Sequence, residues 1–497
     1  MAPSSLSCSS LPSSQAFSPP SSILIIGSGV FGLSTALALS RRDAFSQCSI
    51  TVVDRSDPSQ PGTFPAPDAA STDTSRIVRA DYADPAYAAL GDESQRKWRM
   101  TDSPADLGGQ GRYNETGLIL VADVTPPAPV ADLAAGEALK EPKLTGMDYV
   151  QQSWANVLSL SSKDPTLASR IRELPNRDAI RDCLGTAGSS GSWGYINNNS
   201  GWANAAASMA WLFNKAQETG RVSFVAGTVV SLVHDETAVT GAKLSDGRVL
   251  SAELVVVAAG AWTGSLVDLA GQTMATGQVM GYLDLTEAEQ EKLGKMPIIL
   301  NLSNGLFIIP PTNRVLKIAR HASGYVNPTT LHTPPLPLSP QSAGPSISAP
   351  ASLPLTHLDH PNLSIPAEGA DDLRRALHEM IPWPELKDRP FTKTRLCWYS
   401  DTPTGDFLID YHPGWRGLFV ATGDSGHAFK FLPVIGEKIA DCIMHNCPPE
   451  FRGKWAWRKT TGLPVATDDG TRGGTALLVL ADELAKTAEA IRIPARD

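Results

Sequence analysis

An α/β fold, with a discontinuous Rossmann-type nucleotide-binding domain joined to a second, mixed-sheet α+β domain, is predicted from three stretches of the sequence. The first is Ser22-Ile-Leu-Ile-Ile-Gly27-Ser-Gly29-Val30-Phe31-Gly32, an apolar strand that runs through a glycine turn into a small-residue helix. The second is an apolar run from Leu254 that ends in Ala258-Ala259-Gly260. A sheet needs such small residues where a bulky ligand lies over the carboxyl ends of its strands. The third, Gly417 to Lys430, again reads strand, glycine turn and helix, and aims backbone N–H groups and a lysine at an anion or an electron-rich ring.

In the first stretch each glycine has its own task. Gly27 permits the tight turn, Gly29 lets the backbone approach a pyrophosphate, and Gly32 lets helix and strand pack closely, while free N–H groups of the helix face the anion. A second strand, Ser49 to Val53, ends on Asp54, 22 residues after Gly32, where an acid hydrogen-bonds a ribose hydroxyl. The pattern specifies a dinucleotide and leaves NAD and FAD equally open.

With 497 residues the chain can bury a large core and form two to four domains. The balance of 42 basic and 51 acidic residues, net −9, argues against nucleic acid or an anionic membrane as partner. Six cysteines lie scattered without a Cys-x-x-Cys pair or zinc spacing, which suits a reducing compartment and predicts no metal site. Residues 1–21 are Ser/Pro-rich and read as a disordered lead, not a signal peptide. No run approaches the ~18 apolar residues of a membrane span, and the chain ends Pro-Ala-Arg-Asp, not in a peroxisomal tripeptide. The expected setting is cytoplasmic, and a monomer is the default.

The predicted domain order follows from these stretches. Residues 22–112 form the first nucleotide-binding piece, 113–193 the first piece of the substrate domain, 194–264 the second nucleotide-binding piece and 265–393 the rest of the substrate domain. Residues 394–450 return to the nucleotide-binding domain, and 451–497 form a C-terminal extension with an amphipathic helix at about 476–491. Within 328–370 Pro and Ser dominate, and most of this stretch is expected to be an exposed loop. Arg76 and Arg79, three apart, share one face if this segment is helical.

Two further segments carry chemistry. In Arg314-Val-Leu-Lys317-Ile-Ala-Arg-His321, an alternating strand projects Lys317 and His321 from one side. The other runs from Thr394 through Cys397-Trp-Tyr399 to the Gly423-Asp-Ser-Gly426-His427-Ala-Phe-Lys430 turn. Together with the glycine turn, Ser75-Arg76-Ile-Val-Arg79 and Val257-Ala-Ala-Gly-Ala-Trp262, these segments follow the order found in the sarcosine oxidase and fructosyl amino acid oxidase family of FAD-dependent amine oxidases. That family lies within the D-amino acid oxidase superfamily, and the chain resembles it over about residues 22–450.

The resemblance implies FAD, bonded through the sulfur of Cys397 to the 8α carbon of its flavin. It implies that Lys317 promotes the reaction with O₂, where a fixed cation stabilises developing superoxide charge. Arg79 and Lys430 match a pair that binds a substrate carboxylate, and Ser75 and Arg76 match residues beside the flavin ring. The cofactor contacts expected are Gly27, Gly29, Val30, Phe31, Gly32, Asp54, Arg55, Ser75, Arg76, Val229, Ala259, Gly260, Cys397, Gly426, His427 and Lys430, and the catalytic set is Lys317, Arg79, Lys430, His321 and Arg76.

The implied reaction is oxidation of a secondary amine, an N-substituted or N-methyl amino acid, with O₂ reduced to H₂O₂. His321 and Arg76 stand as in sarcosine oxidases, whereas fructosyl oxidases have an acid and a lysine there. Against a strict sarcosine assignment, Leu306-Phe-Ile308 lacks the tyrosine of that strand. Saccharopine, pipecolate or fructosyl amino acid oxidation and a secondary-metabolite tailoring oxidase remain as alternatives within the family. An NAD(P)-dependent dehydrogenase and a non-catalytic flavoprotein remain as alternatives outside it.

Overall fold

The computed structural model describes residues 17–60, 63–124, 144–331, 333–342, 351–459, 467, 469–474 and 476–492. Residues 1–16 of the expected lead, with Cys8, lie outside this set. Two sheets organise the molecule. The six-stranded nucleotide-binding sheet has the order Leu408–Tyr411, Leu418–Thr422, Leu254–Val257, Ser22–Ile26, Ser49–Asp54, Val222–Ala226. All its pairings are parallel except that of the edge strand Leu408–Tyr411.

The strands of this sheet are continuously apolar because both faces are covered. Ile23, Ile25 and Val256 pack under the helices Val30–Arg41 and Leu432–Ile443, whereas Leu24, Ile26, Val255 and Val257 pack on the antiparallel sheet formed by Val229–His234, Val239–Leu244 and Val249–Ser251. Helix Val30–Arg41 is buried on every side up to Ser40, as expected of a helix without a polar face. Its contact with Leu432–Ile443 is close enough that a Cβ on Gly436 would lie 2.0 Å from the Ser34 carbonyl oxygen. Ser34 Oγ also donates to the Leu432 carbonyl across this contact at 3.1 Å.

The ten-stranded mixed sheet is centred on Met274–Asp284. This strand pairs antiparallel with Val315–Arg320 on one side and with Lys393–Asp401 on the other, so that Tyr282 faces Lys317, Gln278 faces Cys397 and Met280 faces Arg395. Directly opposed residues share a sheet face. Lys317, Tyr282, Met280, Arg395 and Cys397 therefore all project toward the nucleotide-binding domain, while Leu316, Ile318, Val279 and Trp398 pack on the opposite side with Leu373 and Leu377 of helix Ala367–Met380.

Several sequence expectations change at this level. The strand bearing Cys397, Lys393–Asp401, pairs with Met274–Asp284 of the mixed sheet along its whole length. Trp193–Asn197 likewise pairs with Leu118–Ala122 and Ile171–Leu174 of that sheet. Strand identity was readable from composition, but sheet membership depends on pairing partners distant in sequence.

Arg76–Val78 is a short strand paired with Gly201–Ala203, not a helix, and Arg79 follows it directly. The described parts of 328–370 combine exposed residues, such as Leu338 and Leu358, with buried anchors. Leu336 and Ile365 are buried, and the carbonyls of Pro337 and Leu355 accept from the indole N–H groups of Trp415 and Trp398 at 2.7 and 2.9 Å. Average composition concealed these individual apolar anchors.

In the C-terminal block, Leu478–Val479 extends the mixed sheet beside Tyr325–Val326, and helix Leu480–Arg492 follows directly. Thr487 Oγ1 accepts from the Ala367 N–H at 2.9 Å, at the start of helix Ala367–Met380.

The glycine turn gives the first testable consequence. A Cβ on residue 32 would sit 1.9 Å from the Gly27 carbonyl oxygen, so Gly32→Ala is expected to destabilise the protein by about 1–3 kcal/mol through overpacking. Urea denaturation measures this directly, and an unchanged midpoint would mean that the turn opens without cost.

Candidate active site

The ends of both sheets enclose one elongated cavity of about 480 Å³. At one end lies the glycine turn. Gly27 has φ +104°, and a side chain there would collide with the Ala258 carbonyl oxygen at 2.4 Å, a conformation and a clearance that only glycine meets. A Cβ on Gly29, in contrast, would meet nothing closer than Ser71 Oγ at 3.9 Å, which leaves its backbone open to the cavity. Helix Val30–Arg41 starts there without a side-chain cap, so its first N–H groups remain available to an anion.

The Asp54 carboxylate is fixed by Ser28 N–H at 2.7 Å and by the N–H and hydroxyl of Ser56 at 2.8 and 2.6 Å. Arg55 stacks its guanidinium 4.4 Å from the Trp262 ring centroid and pairs with Asp68.

In the middle of the cavity the mixed sheet supplies Lys317. Its ammonium is buried and donates to Asp73 Oδ2 at 2.5 Å and to the Ser75 carbonyl at 2.8 Å. Arg76 Nη1 donates to the same carboxylate oxygen at 2.8 Å, and Arg76 Nη2 lies 3.3 Å from Cys397 Sγ. Burial and the neighbouring Arg76 charge bring the Lys317 ammonium down to about 8, against the opposing pull of Asp73.

At the far end, Lys430 donates to the Tyr82 hydroxyl at 2.9 Å and to the His427 carbonyl at 2.8 Å. The Tyr82 hydroxyl lies 2.9 Å from His427 Nδ1, and His427 Nε2 lies 2.8 Å from the Gly405 carbonyl. A carbonyl only accepts, so Nε2 carries the proton, Nδ1 accepts from Tyr82, and His427 is neutral. Burial and the Lys430 charge hold His427 well below the usual imidazole range, and burial with the Arg79 charge holds Lys430 well below the usual ammonium range.

Arg79 is buried, with its guanidinium carbon 4.7 Å from the Tyr82 ring centroid. Its Nη1 has no hydrogen-bond partner among the described residues, an expensive arrangement unless a ligand supplies one.

His321 is clamped by the C-terminal extension. Arg472 Nη1 approaches His321 Nδ1 at 3.0 Å, and Thr471 Oγ1 lies 3.3 Å from Nε2. Because a guanidinium only donates, Nδ1 is the acceptor and the ring is neutral. Burial and the Arg472 charge push His321 well below its usual range. Arg472 itself is locked by Asp401 at 2.5 Å and the Ser425 carbonyl at 2.9 Å.

A family model described as FAD dependent oxidoreductase, DAO, matches residues 22–442. The chain belongs to the DAO family. The amino acid oxidase imqH of Aspergillus flavus is 35% identical, over 86% of this chain and 93% of its own length. The L-saccharopine oxidase of Schizosaccharomyces pombe is 31% identical over 88% and 93%. Among solved structures, the fructosyl amine:oxygen oxidoreductase Amadoriase I of Aspergillus fumigatus superposes with a TM-score of 0.70 at 26% identity, covering 93% of this chain and 96% of its own.

Membership of the DAO family makes the dinucleotide FAD, and the cavity fits it: an open glycine backbone and an uncapped helix stand at one end, and unmatched cations at the other. A nicotinamide dehydrogenase is excluded by the same membership. The cavity wall brings together most of the residues singled out from the DAO sequence, namely Gly27, Gly29, Val30, Phe31, Asp54, Arg55, Arg76, Arg79, Val229, Ala259, Gly260, Lys317, His321, Gly426, His427 and Lys430.

Gly32, Ser75 and Cys397 are not on that wall. Gly32 packs beneath the turn, Ser75 presents its carbonyl to Lys317, and Cys397 is buried against Arg76. Among the described residues no cluster of His, Cys, Asp or Glu could hold a metal ion, and no helix is long and apolar enough to cross a membrane. The five described cysteines are free.

Sequence reading passed over Asp73, Tyr82 and Arg472. Asp73 and Tyr82 flank the two arginines in the stretch already singled out, and a buried anion between cations was the signal available. Arg472 lies beyond the resembling region, where nothing marked it. Its pair with Asp401 is buried on both sides, each 3% exposed. Arg472→Met is therefore expected to cost about 3–5 kcal/mol by stranding a buried carboxylate. The Arg472→Met/Asp401→Asn double variant should lose clearly less than the sum of the two single changes, and simple additivity in chemical denaturation would contradict the coupling.

Proposed function

We propose that the chain is an FAD-dependent oxidase of a carboxylated secondary amine, an N-substituted amino acid whose substituent is apolar and larger than that of sarcosine. The observation that carries this reading is the buried, unpartnered Nη1 of Arg79 beside Lys430. Two desolvated basic groups converge there, and the nearby buried carboxylate, Asp81, is already engaged by Tyr195, Asn197 and Ser200, so that a substrate carboxylate meets the remaining demand of Nη1. Leu300, Phe307, Ile309 and Ile77 supply an apolar wall to the same cavity, which suits a hydrocarbon substituent better than a sugar or a second acid.

The similarity to amino acid oxidases and an L-saccharopine oxidase favours the amino-acid alternatives over the small sarcosine-like substrate, as does the absence of a tyrosine on Leu306–Thr312.

Bound FAD would supply the two-electron redox chemistry by which a secondary amine and O₂ become an imine and H₂O₂. The chain's own residues prepare that step. Arg79 and Lys430 anchor the carboxylate and so fix which carbon is presented. Their positive field favours the neutral amine, the form that reacts, by lowering its pKa. His321 and His427 are held neutral with both ring nitrogens engaged, so neither supplies a general base, and the amine must arrive or become deprotonated without one.

Lys317 provides the fixed cation for the reaction with O₂. Cys397 is the proposed covalent attachment point, with Arg76 Nη2 3.3 Å from its sulfur.

Arg79→Ala is expected to raise KM about 10- to 100-fold for carboxylated amines, the scale of a lost charge-assisted hydrogen bond, and to leave decarboxylated analogues unaffected. A peroxide-coupled screen of amino acids N-substituted with larger alkyl or benzyl groups, beside sarcosine, saccharopine, pipecolate and fructosyl amino acids, tests the substrate class. Turnover confined to saccharopine or fructosyl substrates would overturn the apolar assignment, and peroxide with none of them would favour a non-catalytic flavoprotein. Covalent attachment has its own test. Acid precipitation should leave flavin on the wild-type chain and release it from Cys397→Ala, whereas release from both would remove the link.

A further inference from the structure

We propose that Asp73 is a positioning residue for the reaction with O₂, holding the Lys317 ammonium and the Arg76 guanidinium together at the cavity wall with one shared carboxylate. This rests on the reading of Lys317 as the oxygen-reactive cation.

The geometry is unusually complete. Asp73 Oδ2 accepts from Lys317 Nζ at 2.5 Å and from Arg76 Nη1 at 2.8 Å. Its Oδ1 accepts from the Tyr282 hydroxyl at 2.8 Å and from the Thr74 N–H at 2.7 Å. Both carboxylate oxygens are thereby saturated, and Asp73 and Lys317 are each 2% exposed at the side chain.

The loop that carries Asp73 is latched to the mixed sheet. Arg395 donates to the Thr72 and Ala69 carbonyls at 2.6 and 2.7 Å, and Arg76 Nη2 donates to the Ala70 carbonyl at 2.7 Å. Asp73 therefore cannot swing away, and neither can the lysine that it holds.

The charge pattern gives the shared carboxylate a chemical task beyond structure. The groups facing Lys317 are Asp73, Arg76, Cys397 and, directly across the sheet, Tyr282, and Asp73 in turn faces Lys317, Arg76, Arg395 and Tyr282. Against these cations the carboxylate is held far below its usual range, chiefly by Lys317 and then Arg76 opposing its burial.

Burial and Arg76 both discharge Lys317, and Asp73 is the anion that keeps it protonated at neutral pH. A buried ammonium stripped of that anion loses its proton readily. Lys317 is cationic below about 8 and loses its charge as pH rises through that value, so any process that needs the cation should fade above it.

The test combines reoxidation kinetics with a spectroscopic titration of the resting holoenzyme. In the wild type, reoxidation should slow and the visible flavin band should shift with an inflection near pH 8. Lys317→Met should abolish the inflection and slow reoxidation at every pH, and wild-type reoxidation in that variant would overturn the lysine reading itself. With Lys317→Met slow, Asp73→Asn should move the inflection to lower pH and slow reoxidation at least tenfold at pH 7.5 while anaerobic reduction changes little. An Asp73→Asn enzyme that keeps the wild-type inflection and reoxidation rate would overturn the proposal.

If Asp73→Asn fails to fold, Tyr282→Phe, which removes one donor from the same carboxylate, and Asp73→Glu, which keeps the charge, serve in its place. Tyr282→Phe should displace the inflection, and Asp73→Glu should retain a charged Lys317. An unmoved inflection in Tyr282→Phe with none remaining in Asp73→Glu would count against the proposal.

Discussion

Positive charge buried with too little negative charge is the constraint on which the rest of the cavity depends. Arg76, Arg79, Lys317 and Lys430 are all withdrawn from water along one elongated space, and Asp73 is the carboxylate in direct contact with two of them. Such an arrangement is costly in an isolated protein and becomes reasonable when the missing charge arrives with ligands. On the proposed reading, a dinucleotide would bring phosphates to the glycine turn and an amino-acid substrate a carboxylate to Arg79. The scaffold bears part of the imbalance: Lys317 is fixed by the Ser75 carbonyl, Arg76 by the Ala70 carbonyl and Lys430 by the Tyr82 hydroxyl.

The mixed sheet converts this electrostatic demand into geometry. Lys317 and Cys397 lie on different strands, far apart in sequence, yet both pair with Met274–Asp284 and emerge on the same face because their partners, Tyr282 and Gln278, are an even number of residues apart. A slip of one residue in either pairing would send one of them into the apolar layer under helix Ala367–Met380. Met280 occupies the face between them, and Arg395 opposite it ties the Asp73 loop to the same surface.

How much of this was legible in the sequence differs from residue to residue for physical reasons. The glycine turn, its strands and Asp54 were readable because their chemistry is local: a turn that only glycine can make, followed at fixed distance by an acid. Lys317, Arg79 and Lys430 were readable through resemblance, since an isolated lysine or arginine carries no mark of burial. The extended conformation of Arg76–Val78 was not readable, because it depends on pairing with Gly201–Ala203. The sheet that owns Cys397 was hidden in the same way. Arg472 was least visible, as its task is defined wholly by His321 and Asp401, residues that meet it only after the chain has folded around the second sheet.

The close contact between helices Val30–Arg41 and Leu432–Ile443 has a mechanical meaning. The first helix starts at the pyrophosphate turn, and the second follows directly after Lys430, so the two begin at opposite ends of the cavity. With Gly436 seated against the Ser34 carbonyl and no room for a side chain between them, the pair works as a caliper whose jaws are set by a backbone-to-backbone stop. The distance between the glycine turn and the Lys430 end of the cavity is thus tied to a stop in the backbone itself, so that changes in the side chains of the wall would reshape the cavity without altering that gauge.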